Sequence, residues 1–155
     1  MKLLVNKTNN YIFWATDNNE TSVVFVDDLF KVNDVVVSTG FNKEDYFFIE
    51  EDNQNLPEDF FLGQMLYVDG IFSFTQNYLA WNTNIHSCIE SIKFEYLAKS
   101  ENTEFSEEER TSFLNYSEEL GVIQNTQYLN PTWQFPTPPD EIYPYTPSCL
   151  SGYTL

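Results

Sequence analysis

The sequence predicts an α+β protein in three parts: an antiparallel β-rich domain over residues 1–82, a two-helix hairpin over 83–121, and an extended proline- and aromatic-rich tail over 122–155. Three observations predict it. Short β-branched and aromatic runs recur through the first eighty residues. From Asn84 the apolar residues fall at helical spacing. Prolines 131, 136, 138, 139, 144 and 147 crowd the last quarter.

The β-rich part is read from its runs: LLV at 3–5, YIFW at 11–14, SVVFV at 22–26, VVV at 35–37 and YFFI at 46–49, separated by polar clusters rich in Asn, Asp and Gly. The sharpest local signal is MLYVDGIFSF. Asp69-Gly70 stands between two alternating runs and tolerates the positive φ of a type I′ turn, which predicts a tight hairpin over 65–74. Pro57, in NLPEDF, breaks any strand before it and marks a loop. The rings in this part are expected to fill its core.

Ile85, Cys88, Ile89, Ile92 and Tyr96 form a helical stripe, with Thr83 or Asn84 able to cap its start. On that stripe Cys88 is expected to act as a small buried hydrophobe, while His86 falls one position off it and is expected to be exposed. Ser106-Glu107-Glu108-Glu109 supplies a capping box for a second helix, and three carboxylates in its first turn suit the positive end of the helix dipole. Phe113, Tyr116 and Leu120 form its apolar stripe, and Gly121 is expected as the residue that ends it. Proline fixes φ and removes a donor, so the tail is expected to be extended and largely polyproline II.

Twenty-four acidic residues against seven basic give a net charge of −17. Phosphate backbones and anionic membranes repel such a surface, which argues against direct nucleic-acid or membrane binding. The acidity suits solubility and mutual repulsion between copies in a crowded assembly. Its sharper alternative is mimicry of a nucleic acid, which would need a continuous negative stripe; the carboxylates come instead in scattered clusters such as Glu50-Glu51-Asp52 and Glu107-Glu108-Glu109. The two cysteines, Cys88 and Cys149, lack CxxC partners, and the histidine is single. The two cysteines could form a single disulfide, but a reduced chain is expected over it, and no structural zinc. Neither a signal peptide nor a membrane span is read. No triad, P-loop, GxGxxG or EF-hand pattern is found, so a non-enzymatic protein without cofactor or metal is expected. The Asp17–Glu20 and Asp27-Asp28 clusters read as solvated loops, and Glu58-Asp59 carries no geometry that would make it a glycosidase pair.

The segment FSEEERTSFLNYSEELGVIQNTQYLNPTWQFPTPP, residues 105–139, resembles the C-terminal module of phage tail assembly chaperone-like proteins. The shared elements are the acidic helix start at 106–109, then Phe113, Tyr116 and Leu120, a short spacer, and the Trp-Pro exit of Trp133, Phe135, Pro136, Pro138 and Pro139. Ser117 and Gly121 stand where that family usually carries basic side chains, the acidic run is longer, and the match covers less than a quarter of the chain. LPEDFFLGQMLYVDGIFSF looks like a hairpin found in small proteins of tailed phages. The resemblance implies a non-catalytic component of tail or fibre assembly, or a minor virion protein, in the virion or in the host cytoplasm during assembly. Its partner would be a tail, fibre or capsid protein, met singly or in several copies. Phe113, Tyr116, Leu120, Trp133, Phe135, Pro136, Tyr143 and Tyr145 are the residues expected to carry that contact, because rings interleaved with prolines offer anchors at low entropic cost.

Overall fold

The computed structural model describes residues 1–52, 54–141 and 146–150. The chain divides into two compact units, Met1–Thr75 and Gln76–Leu155. Antiparallel sheets fill the first and a two-helix hairpin the second, so the α+β class and its order of parts stand.

In the first unit β1 (Lys2–Asn6) is the centre of a sheet ordered β2–β1–β6, with β2 at Ile12–Thr16 and β6 at Tyr46–Glu50. Leu3, Leu4 and Val5 are all buried, because both faces of this strand are covered. Leu3 and Val5 pack with Met1, Ile12, Met65 and Tyr67. Leu4, on the opposite face, packs with Phe30 and Phe41. A strand covered on both faces reads as an unbroken apolar run, which is why LLV shows no alternation.

The Phe30 side belongs to a second sheet, β3 (Val23–Val26), β4 (Leu29–Val32) and β5 (Val35–Ser38). The register of β1 against β2 slips between Leu4 and Val5, and Phe13 is the extra residue. The bulge lets consecutive Phe13 and Trp14 both reach Phe30, with ring centroids 5.9 and 5.8 Å away. Much of the chain's high aromatic content gathers here: Phe25, Phe41 and Tyr46 complete the cluster.

The third piece is the hairpin β7 (Met65–Val68) and β8 (Ile71–Phe74). Asp69 and Gly70 sit at φ +50° and +83°, as the type I′ reading requires. The same device recurs at a place the sequence reading left as loop. Asn33 and Asp34, at φ +49° and +65°, join β4 to β5, and Asp27, at +52°, helps join β3 to β4. The Asp27-Asp28 cluster is therefore a hairpin turn, and β4 is a strand that was not anticipated.

In the second unit α1 spans Gln76–Glu101 and α2 Glu107–Gln124. The helix begins eight residues before Asn84, and the boundary expected at residue 82 moves back to Thr75. Tyr78, Trp81 and Asn82 extend the buried stripe by two turns. The capping box at Ser106 and Glu109 is present. Gly121 does not end α2: the helix continues through it to Gln124 and is capped at Asn125. The stem of Lys93 passes 3.9 Å from where a Cβ on Gly121 would stand, and its ammonium donates to Gln124 Oε1 at 2.9 Å.

Candidate functional site

The segment that resembles a phage module, together with α1, builds the second unit. Tyr96 on α1 meets Phe113 and Tyr116 on α2, at centroid distances of 5.8 and 4.8 Å. The Ser117 hydroxyl donates to the Lys93 carbonyl at 3.0 Å. These contacts set the helices antiparallel, with the Phe113–Leu120 stripe turned inward.

After α2 the chain is laid along the helices. Asn82 clasps it from the start of α1: its amide nitrogen donates to the Gln127 carbonyl, and its amide oxygen accepts from the Leu129 N–H, each at 3.0 Å. A side-chain amide here presents the donor and acceptor of a peptide group, so the buried Asn82 satisfies both against main chain. The Tyr78 hydroxyl donates to the Leu129 carbonyl at 2.7 Å. Asn130-Pro131-Thr132-Trp133 then forms a turn closed by Trp133 N–H to Asn130 O at 2.8 Å, with proline at its second position, where its fixed φ fits. Farther on, the Tyr116 hydroxyl donates to the Pro136 carbonyl at 2.9 Å. Pro138-Pro139-Asp140-Glu141 closes a second such turn at 3.2 Å.

Asp140 ends the clasp. It accepts from the Tyr96 hydroxyl and from Lys99 Nζ, the latter at 2.9 Å, and Lys99 also pairs with Glu95 at 3.0 Å. Partial burial works against the charge of Asp140, but the bonds from Tyr96 and Lys99 outweigh it and hold the carboxyl below its ordinary value. Burial likewise works against the Lys99 ammonium, and Asp140 and Glu95 outweigh that and raise it. The ammonium also lies 4.1 Å from the Tyr96 ring centroid. From Tyr78 to Tyr96 α1 covers about 27 Å at ~1.5 Å per residue. The chain from Leu129 to Asp140 is tied to α1 near both ends, and the two hydrogen-bonded turns interrupt it as a polyproline II run.

The expected contact residues therefore divide. Phe113, Tyr116, Leu120 and Phe135 are buried within this unit, where their own chain covers them, so they are not open to a partner. Trp133 and Pro136 are half-buried, and the Trp133 ring stands edge-on to Phe135 at 4.8 Å. Tyr143 and Tyr145 lie outside the described residues. The apolar groups this unit does expose were not singled out from the sequence: Phe94, Leu114 and Val122, at 56, 39 and 71% of full exposure. Their signal was available, since each falls off the helical stripe of its neighbours.

The reduced chain expected from two isolated cysteines is also corrected. Cys88 on α1 is joined by a disulfide to Cys149 in the short 3₁₀ turn Ser148–Leu150, across 61 residues of sequence. Cys88 is buried, as its stripe position requires, but it serves as an anchor for the chain beyond the strip. His86 is half-buried rather than exposed, and its Nε2 is shielded without a hydrogen-bond partner among the described residues.

Open clefts in the first unit are lined by described residues. One, of about 340 Å³, includes Tyr11, Phe13, Tyr46 and Leu62 in its wall. Another, of about 390 Å³, runs between β6 and the β7–β8 turn, with Phe47, Ile49, Glu51, Tyr67 and Asp69 in its wall. There the Tyr67 hydroxyl donates to Glu51 at 3.0 Å, and burial together with that carboxylate raises the phenol. Among the described residues no group of three or more His, Cys, Asp or Glu side chains is placed to hold a metal ion, and no helix is long and apolar enough to cross a membrane. No protein-family model, curated protein or solved structure matches the chain.

Proposed function

We propose that this protein is a non-catalytic binding component of a tailed-phage tail or fibre, and that its helical unit docks a tail, fibre or capsid protein. The observation that carries the reading is the outward apolar set of Phe94, Leu114 and Val122, left uncovered on a hairpin whose inner stripe is already filled by its own chain. Exposed apolar side chains on a rigid helix pair are suitable anchors for a protein partner. The proposed contact residues are these three rather than the buried stripe. The resemblance of residues 105–139 to tail assembly modules supplies the phage context. A disulfide between Cys88 and Cys149 favours residence in the particle, since such bonds persist outside the reducing cytosol. On α2 the exposed Leu114 and Asn115 separate the Glu107-Glu108 and Glu118-Glu119 pairs, which supports docking over mimicry of a nucleic-acid backbone.

The test is mass spectrometry of purified particles, with Leu114→Glu and Val122→Glu as variants. The chain should co-purify with particles, and each variant should lose incorporation while keeping its helicity. Absence from particles and from every tail or fibre intermediate sinks the reading. Tight, salt-sensitive binding to a nucleic-acid enzyme would favour mimicry instead.

A further inference from the structure

The ladder between β1 and β6 has a phase that leaves half of β6 without partners. Lys7 N–H bonds the Asp45 carbonyl at 2.8 Å, and Glu51 N–H bonds the Met1 carbonyl at 3.0 Å. In an antiparallel pair the bonded residues alternate, so Asp45, Phe47, Ile49 and Glu51 turn their main chain to β1. Tyr46, Phe48 and Glu50 turn theirs outward. The Tyr46 N–H is taken by the Lys43 carbonyl. The Tyr46 carbonyl and both main-chain groups of Phe48 and Glu50 face the open edge.

Open edges are normally blunted. The β2 edge carries the Phe13 bulge, and the β5 edge carries a bulge at Val37. The β6 strand has an unbroken register and is five residues long, against four for β3 and β8. It also exposes an aromatic ring on each face, Phe47 at 52% and Phe48 at 39%. Phe47 borders the 390 Å³ cleft, and Phe48 meets Phe25 on the other face.

The charge around this edge selects its occupant. Glu44 and Asp45 precede the strand, Glu50, Glu51 and Asp52 end it, and Asp69 stands across the cleft. The ring of Phe47 already takes a cation on its face, the Lys7 ammonium 5.3 Å from the centroid. A second copy of a chain of net charge −17 would bring like charge to this edge. We infer that β6 is a docking edge for an extended basic segment of a partner protein, which adds a strand beside Phe48 and sets Lys or Arg side chains against Glu51 and Asp69 on the Phe47 face. Glu50, on the other face, is already paired with Lys2 at 3.0 Å. Main-chain bonds would supply the affinity and the acidic border the choice of partner. This site lies in the other unit from the helical surface proposed above and stands whether or not that reading holds.

The test uses three labelled peptides: alternating Lys-Val, alternating Glu-Val, and the Lys-Val peptide N-methylated at every residue, which leaves neither edge an N–H to donate. Fluorescence anisotropy at low and high salt gives affinities, and amide shifts locate the contact. The Lys-Val peptide should bind, shift residues 46–50 and weaken with salt. The Glu-Val peptide should not bind, and N-methylation should weaken binding at least tenfold. Phe48→Pro removes an outward N–H that β1 does not use, so the ladder survives while binding is lost. Equal binding of the charged and N-methylated peptides, shifts confined to other residues, or no binding at all overturns the inference. So does self-association of the wild-type chain that Phe48→Pro abolishes, which would give the edge to a second copy.

Discussion

At Gly70 the backbone holds φ +83°, and beyond its chain neighbours no atom lies within 4 Å of where a Cβ would be. The demand for glycine there is one of conformation rather than space. Gly70→Val should destabilise the first unit by about 1–3 kcal/mol in urea unfolding, through strain in the left-handed region. A second residue-scale device is the Asp140–Lys99–Tyr96 clasp. Asp140 has a lowered pKa when folded, so its contribution is full above the ordinary carboxyl value of 3.8 and is lost as pH falls through the folded value. Lys99 is raised, so its contribution is full below 10.5 and is lost as pH rises through the folded value. Protection of the Phe135, Thr137, Asp140 and Glu141 amides, relative to intrinsic exchange at each pH, should therefore hold from mild acid to mild base and fall at both extremes. Asp140→Asn should remove the acid limb.

Among the elements, α2 offers two opposed tests. Ser106 accepts from the Glu109 N–H at 3.3 Å, while the Glu109 carboxylate accepts from the Ser106 N–H at 2.8 Å and from its hydroxyl at 2.7 Å. Those two bonds, the hydroxyl's first, hold the Glu109 carboxyl below its ordinary value. Ser106→Ala should cost about 1 kcal/mol of helix stability, and the Glu109 titration, followed by NMR, should move upward. Gly121→Ala should do the opposite. The residue is interior to the helix, and its nearest neighbour would be the Lys93 stem at 3.9 Å, an ordinary contact. Alanine should therefore stabilise the second unit by about 0.5–1 kcal/mol in thermal unfolding. If Gly121 were instead a left-handed end residue, the sign would reverse.

On the scale of the whole molecule, the disulfide and the two units make one prediction. Cys88–Cys149 closes a loop of 61 residues that lies wholly within the second unit. From loop closure alone, its loss should cost about 4 kcal/mol. Trp14 reports on the first unit, and Trp81 and Trp133 on the second. In single-Trp variants, dithiothreitol or Cys88→Ala should shift the second unit's urea transition to lower denaturant and leave the Trp14 transition in place. The sequence by itself determined the parts that rest on short-range chemistry: the Asp69-Gly70 turn, the Ser106 capping box, the inward stripe of Phe113, Tyr116 and Leu120, and the α+β order. Each is fixed by dihedral preference or periodicity within a few residues. Only the tertiary structure decided the rest, because the partners are distant in sequence. The stripe of α1 was hidden at Asn82, a polar residue buried to serve Gln127 and Leu129, and β4 was hidden because Asp27-Asp28 and Asn33-Asp34 turn the chain without glycine. The prolines denied residues 126–141 a helix or a sheet, but Tyr78, Asn82, Tyr96 and Tyr116 supplied side-chain bonds instead. A segment without its own hydrogen-bond ladder thus became the cover of the helical core.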